Sequence, residues 1–111
     1  MIIRSMSRNV KIVFGIPEAE ADKMRQIMAQ AGAGLSEKYS HASFSAKGIG
    51  RFKPLTGANP AVGNIDELEE VAEEQITTTC PKNKVKDIVT AIKKAHPYEE
   101  PVIDIIALED L

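Results

Sequence analysis

Val10-Lys11-Ile12-Val13-Phe14 is a short β-branched and aromatic run closed by Gly15-Ile16-Pro17, a pattern that predicts a buried strand leading into a helix. Pro17 suits a first helical turn. Glu18, Glu20 and Asp22 then set negative charge beside the exposed amides of that turn. Ala21, Met24, Ile27, Met28 and Ala31 follow at helical spacing, with polar residues mostly on the other side, until Gly32 and Gly34 end the element. From Tyr39 the period changes to two: Ala42, Phe44 and Ala46 alternate with His41, Ser43 and Ser45, which predicts a strand with one buried face. Residues 47–64 are dense in glycine, proline and asparagine and read as a long loop or mobile hairpin. A β-rich run over 68–80 stops at Pro81. Val85, Ile88, Val89 and Ile92 form a second helical stripe with lysines mostly outward, and 102–108 reads as a strand covered on both faces or nearly so.

The two strand-proline-helix segments repeat. Pro17 and Pro81 lie 64 residues apart, and the same offset carries Ala21, Met24 and Met28 onto Val85, Ile88 and Ile92. Two such units, each followed by a strand, predict an α+β, ferredoxin-like β-α-β-β-α-β sandwich: a four-stranded antiparallel sheet with two helices on one face. The opposite face is then bare within one subunit, with Tyr39, His41, Thr77 and Thr79 directed to it, which argues for self-association.

Composition narrows the class. A chain of 111 residues, 43% hydrophobic and 27% charged, fits one globular domain over residues 9–111 behind a flexible segment 1–8. With 14 basic and 16 acidic residues interspersed, the net charge of -2 supplies no field for nucleic acid or an anionic membrane. A lone cysteine, Cys80, allows no internal disulfide and reads as a small buried hydrophobe, and no run is apolar enough for a signal peptide or membrane span. These features place the expectation in the cytoplasm.

Candidate chemistry sits in two stretches. In His96-Pro97-Tyr98-Glu99-Glu100-Pro101 the prolines stop the second helix and aim the last strand, by sterics alone. A histidine beside a phenol and two carboxylates is also a set that binds a metal ion or moves a proton. In the middle segment, Gly48 and Gly50 with Lys47, Arg51 and Asn59 offer backbone amides and cations to an anion, although without the following helix of a phosphate loop. The acidic run Asp66, Glu67, Glu69, Glu70, Glu73 and Glu74 reads either as a solvated face or as a cation site.

The hexapeptide, together with Val102-Ile103-Asp104-Ile105, resembles the segment before the final strand of CutA-like, PII-like domains, in particular the insert domain of YqfO-type proteins of the Nif-like family. Tyr39-Ser40-His41-Ala42-Ser43-Phe44-Ser45, then Gly48-Ile49-Gly50-Arg51-Phe52, then Gly57-Ala58-Asn59-Pro60-Ala61-Val62-Gly63 occur in the same order, so the resemblance spans roughly residues 8–108. It implies a ferredoxin-like domain of the kind that forms trimers. It does not carry over the dinuclear metal site of the YqfO-type proteins, which belongs to a flanking domain, nor a PII-type nucleotide role. The expected function is a non-enzymatic oligomeric module that binds a divalent metal ion, a small ligand or a partner protein between subunits, through His41, His96, Tyr98, Glu99 and Glu100 or the loop residues. A purely structural oligomerisation domain and an acid-base enzyme at an inter-subunit cleft are the alternatives.

Overall fold

The computed structural model describes residues 9–109. Its elements are β1 (Asn9–Pro17), α1 (Glu18–Gln30), β2 (Phe44–Phe52), β3 (Glu69–Pro81), α2 (Val85–Ala95) and β4 (Ile103–Ala107), with a single 3-10 turn at Lys82–Lys84 leading into α2. The four strands form one sheet in the order β2-β3-β1-β4, antiparallel at every pairing. This is the ferredoxin-like arrangement.

Strict alternation along β1 sets the two faces. Val10, Ile12, Phe14 and Ile16 are buried toward the helices, and Ile76 and Cys80 of β3 join them in the same layer. Helix α1 covers them with Ala21, Met24 and Met28, and α2 with Ile88 and Ile92. Each of the larger side chains is worth about 1.5–3 kcal/mol on burial, so this single layer supplies the main driving force for folding. Pro17 and Pro81 end the two central strands, which run antiparallel with Asn9 opposite Pro81 and Pro17 opposite Glu73. The helices therefore leave from opposite ends of the central strand pair.

The turn after α1 is tied to β3. Gly34 donates its amide to Thr79 O at 2.9 Å, Ala42 donates to Gly34 O at 3.1 Å, and the buried Thr78 hydroxyl donates to Ala42 O at 2.9 Å. Gly34 adopts φ 69°, and a Cβ there would lie 2.2 Å from Ala42 O. This stitching carries residues 35–43 across without sheet pairing, so β2 begins at Phe44 and not at Tyr39.

The strands differ from expectation in three respects. The face of β2 expected to be buried is the open one: Phe44 is 71% exposed and pairs with Thr77, while Ser45 and Lys47 point to the helix side. There α1 meets the strand with polar groups, Arg25 Nη1 donating to Ser45 Oγ at 3.0 Å and Glu18 lying 3.8 Å from Lys47 Nζ. Period two located the strand; the polar contacts decided its orientation. Second, Lys47, Gly48, Gly50 and Arg51 are not loop residues, because β2 continues to Phe52 and the connection is residues 53–68. Third, β4 is an edge strand with Ile105 and Ile106 each 48% exposed, rather than covered on both faces. The segment 1–8, read as flexible, lies outside the described residues.

Candidate functional site

Helix α2 ends as the prolines require. His96 is its C-cap, with extended backbone at φ -72° and ψ 134°, and its amide still donates to Ile92 O. The imidazole is 7% exposed and meets the edge of Phe14, ring centroids 6.2 Å apart. Its Nε2 lies 2.7 Å from Gly15 O, and Nδ1 accepts the Tyr98 amide at 3.1 Å. A carbonyl requires a donor and an amide an acceptor, so the imidazole is the neutral tautomer with its proton on Nε2. Both nitrogens are used by the backbone.

This corner delivers Tyr98 to the open face of the sheet. Its ring stacks obliquely on Phe52 at 5.6 Å, and its hydroxyl donates to Glu73 Oε2 at 2.5 Å. Glu73 stands on β3 between Gly15 of β1 and Gly50 of β2; a Cβ built on either glycine would come within 2.5 Å and 2.4 Å, respectively, of the Glu73 carboxyl group. Glycine inside a strand marks such close approaches. The connection 53–68 returns over this point, with Pro54 buried, a turn closed by Ala58 N–H to Leu55 O at 3.0 Å, and Gly57 at φ 100°. From its far side the Asn59 amide donates to Glu99 Oε1 at 3.0 Å.

The loop and the corner thus border one groove of about 700 Å³, lined by Gly15, Gly50 and Glu73 of the sheet, Tyr98 of the corner, and Leu55 and Val62 of the connection. Glu99 and Glu100 line it near the Val102 end. The two stretches singled out in the sequence therefore converge, and Glu73, one carboxylate among several in the acidic run, sits at their centre.

The remaining candidates lie elsewhere. His41 is exposed at φ 63° before β2 begins, where Ser40 Oγ lies 2.9 Å from its Nδ1. It shares a shallow hollow with Asp22, Lys23, Arg25 and Gln26 on the α1 side, so the expectation that it lies on the bare sheet face is wrong. That expectation followed from placing Phe44 inward; with Phe44 on the open face, a residue that alternates with it falls on the helix side. Lys47 faces Glu18, the Arg51 guanidinium bonds Glu70 at 2.8 Å, and Gly48 opens onto empty space. Among the described residues, no group of three or more His, Cys, Asp or Glu is placed to hold a metal ion. Cys80 is buried, and burial pushes its thiol above the ordinary value.

Tyr98 is raised above the ordinary phenol value of 10.0, first by burial and then by its hydrogen bond to Glu73. Burial and a neighbouring carboxylate both disfavour phenolate. A raised folded value favours the neutral phenol, so its contribution to stability is complete below pH 10 and is lost as pH rises from there through the folded value. In a Tyr39→Phe protein, which leaves one tyrosine, phenolate absorbance should develop later than in the same chain unfolded in denaturant. Coincident titration curves would contradict the Tyr98–Glu73 geometry.

No family model matches the chain. Its fold is that of CutA proteins: the CutA protein of Archaeoglobus fulgidus, described as a periplasmic divalent cation tolerance protein, superposes with TM-score 0.66 at 16% identity over 92% of this chain and 85% of its own. The likeness to CutA is one of fold. In sequence the chain is homologous to part of the NIF3-related proteins: it is 42% identical over 99 residues to the GTP cyclohydrolase 1 type 2 homolog of Bacillus subtilis. It is likewise 41% identical over 100 residues to that of Listeria monocytogenes. The matches cover 89% of this chain but only 26% and 27% of those relatives, so the chain spans about a quarter of their length. A Bacillus cereus protein related to NIF3 superposes with TM-score 0.79 at 34% identity, over 92% of this chain and 26% of that one. No helix among the described residues is long and apolar enough to cross a membrane.

Proposed function

We propose that this domain is a non-enzymatic, self-associating module that binds a small ligand in the groove beneath the 53–68 connection. One observation carries the reading: two segments distant in sequence are brought over a carboxylate for which the sheet is cut away at two glycines. A concave site with apolar walls and a few convergent polar groups is the usual form of a small-molecule site. The exposed Phe44 and Ile106 belong to the same open sheet face, and Val102, 76% exposed, lines the groove. Apolar surface of this kind favours association between copies, and a trimer is the assembly that the sequence resemblance implies. The groove then lies beside a subunit boundary inside the cell.

Light scattering at micromolar concentration should give a mass that is a multiple of 12.1 kDa. A ligand present at a hundred times its dissociation constant stabilises the native state by about 2.7 kcal/mol, a rise of roughly 10–20 °C in melting temperature. A monomer at all concentrations would remove the subunit boundary from this reading. An intact oligomer with no thermal response to a broad ligand panel would leave the domain as a structural connector.

A further inference from the structure

We propose that the groove takes a small organic cation, an amine head on a short apolar body, with the Glu73 carboxylate as its anchor. This rests on the groove being a ligand site and adds the class of ligand.

The charges around β3 single out Glu73. Its neighbour Glu74 is bonded by Arg25 at 2.6 Å, and Glu70 by Arg51 at 2.8 Å. Glu73 lies between them in sequence, yet among the described residues it enters no salt bridge and is held by a neutral donor, the Tyr98 hydroxyl. A half-buried carboxylate is costly to leave without a counter-charge. Here the sheet is shaped to keep it, since alanine at either Gly15 or Gly50 would collide with it.

The surroundings define the missing charge. Glu99 and Glu100 add negative potential at the groove, and of the lining cations Arg51 is already committed to Glu70, leaving Lys53 on the exposed loop. An anionic ligand would meet like charge at Glu73. A bare metal ion would lack donors, because no cluster of three ligating side chains is present among the described residues. An ammonium group needs fewer: one carboxylate, a second acceptor and an aromatic face. Tyr98 and Phe52 present their rings beside Glu73, and Leu55, Val62 and Val102 supply contact for an alkyl body.

A matched series isolates the head group. Hexylamine, hexanol and hexanoate are titrated into the isotope-labelled chain, and amide signals of Gly50, Phe52 and Tyr98 are followed. The amine should shift these signals saturably, the alcohol more weakly, and hexanoate not at all. Glu73→Gln should weaken the amine at least about tenfold, the range expected when one partner of a partly desolvated charge pair is lost. Gly50→Ala, which displaces the carboxylate without removing it, should weaken it as well, and Glu37→Gln, an exposed control, should not. Tyr98→Phe keeps the ring, frees Oε2 and should retain binding. Hexanoate binding as tightly as the amine, or an amine affinity unchanged in both Glu73→Gln and Gly50→Ala, would overturn the proposal. If neutral or anionic compounds from a wider panel occupy the groove while amines do not, the ligand class is wrong and the site stands. If nothing in that panel perturbs the groove, both readings fall.

Discussion

Gly34→Ala is expected to cost the domain about 2–5 kcal/mol, a drop of roughly 10–30 °C in melting temperature. Two independent penalties combine. The residue is in the left-handed region at φ 69°, which a Cβ disfavours by about 1–2 kcal/mol. The new methyl would also lie 2.2 Å from the oxygen and 2.6 Å from the nitrogen of Ala42, backbone atoms that cannot swing aside as a side chain would. Relief requires breaking the Gly34 and Ala42 hydrogen bonds that stitch the turn to β3. Gly32 is the internal comparison, because its φ is 109° but no atom lies within 4 Å of its would-be Cβ. Gly32→Ala should therefore pay the conformational cost without the collision. Thermal unfolding followed by circular dichroism separates the two, and equal losses would show that the close approach at Ala42 is not what fixes the turn.

His96→Ala should be of similar severity. It orphans the Gly15 carbonyl and the Tyr98 amide and removes the ring packed against Phe14. Each buried group left unpaired costs about 1–3 kcal/mol, so a loss of about 2–5 kcal/mol is expected, read as a lower denaturant midpoint at unchanged slope. His96→Asn carries both a donor and an acceptor on a shorter side chain and should recover part of it. An alanine protein as stable as the parent would mean that the imidazole is held by the corner and does not hold it. Since Tyr98 hangs from this histidine, the same variant should also disturb the Phe52 and Glu73 contacts at the groove.

The helices and their partners in the core were readable because apolar spacing is a local signal. Ala21, Met24 and Met28, and Ile88 and Ile92, all face the sheet as their 3.6-residue period indicates. The repeat of proline-terminated strands gave the order of elements, and the homologous superposition agrees with it. The orientation of β2 was not readable, since alternation fixes two faces without saying which one meets the helices. That choice depends on Arg25, Ser45, Lys47 and Glu18 meeting from separate elements. The groove likewise depends on elements that meet only in the folded sheet. Gly15 and Gly50 look like a strand end and a turn until Glu73 crosses above them, a relation set by the register of three strands. The local signal for it is that Glu73 alternates in step with Thr77 and Thr79, which places it on the same bare face.

The unequal lengths of the central strands matter beyond topology. Glu73–Thr77 of β3 is flanked by both β1 and β2, whereas Glu69–Ala72 pairs only with Ile49–Phe52. A two-stranded ribbon is marginal in water, and regions with few buried partners open at lower free energy than the core. The domain is therefore graded in cooperativity, from a firmly held sheet to a ribbon that opens more readily. Phe52 stands on the ribbon and Tyr98 on the corner anchored to the core. Whatever fills the space between them joins the two regimes, so occupancy is written into how far the ribbon's order extends from the core.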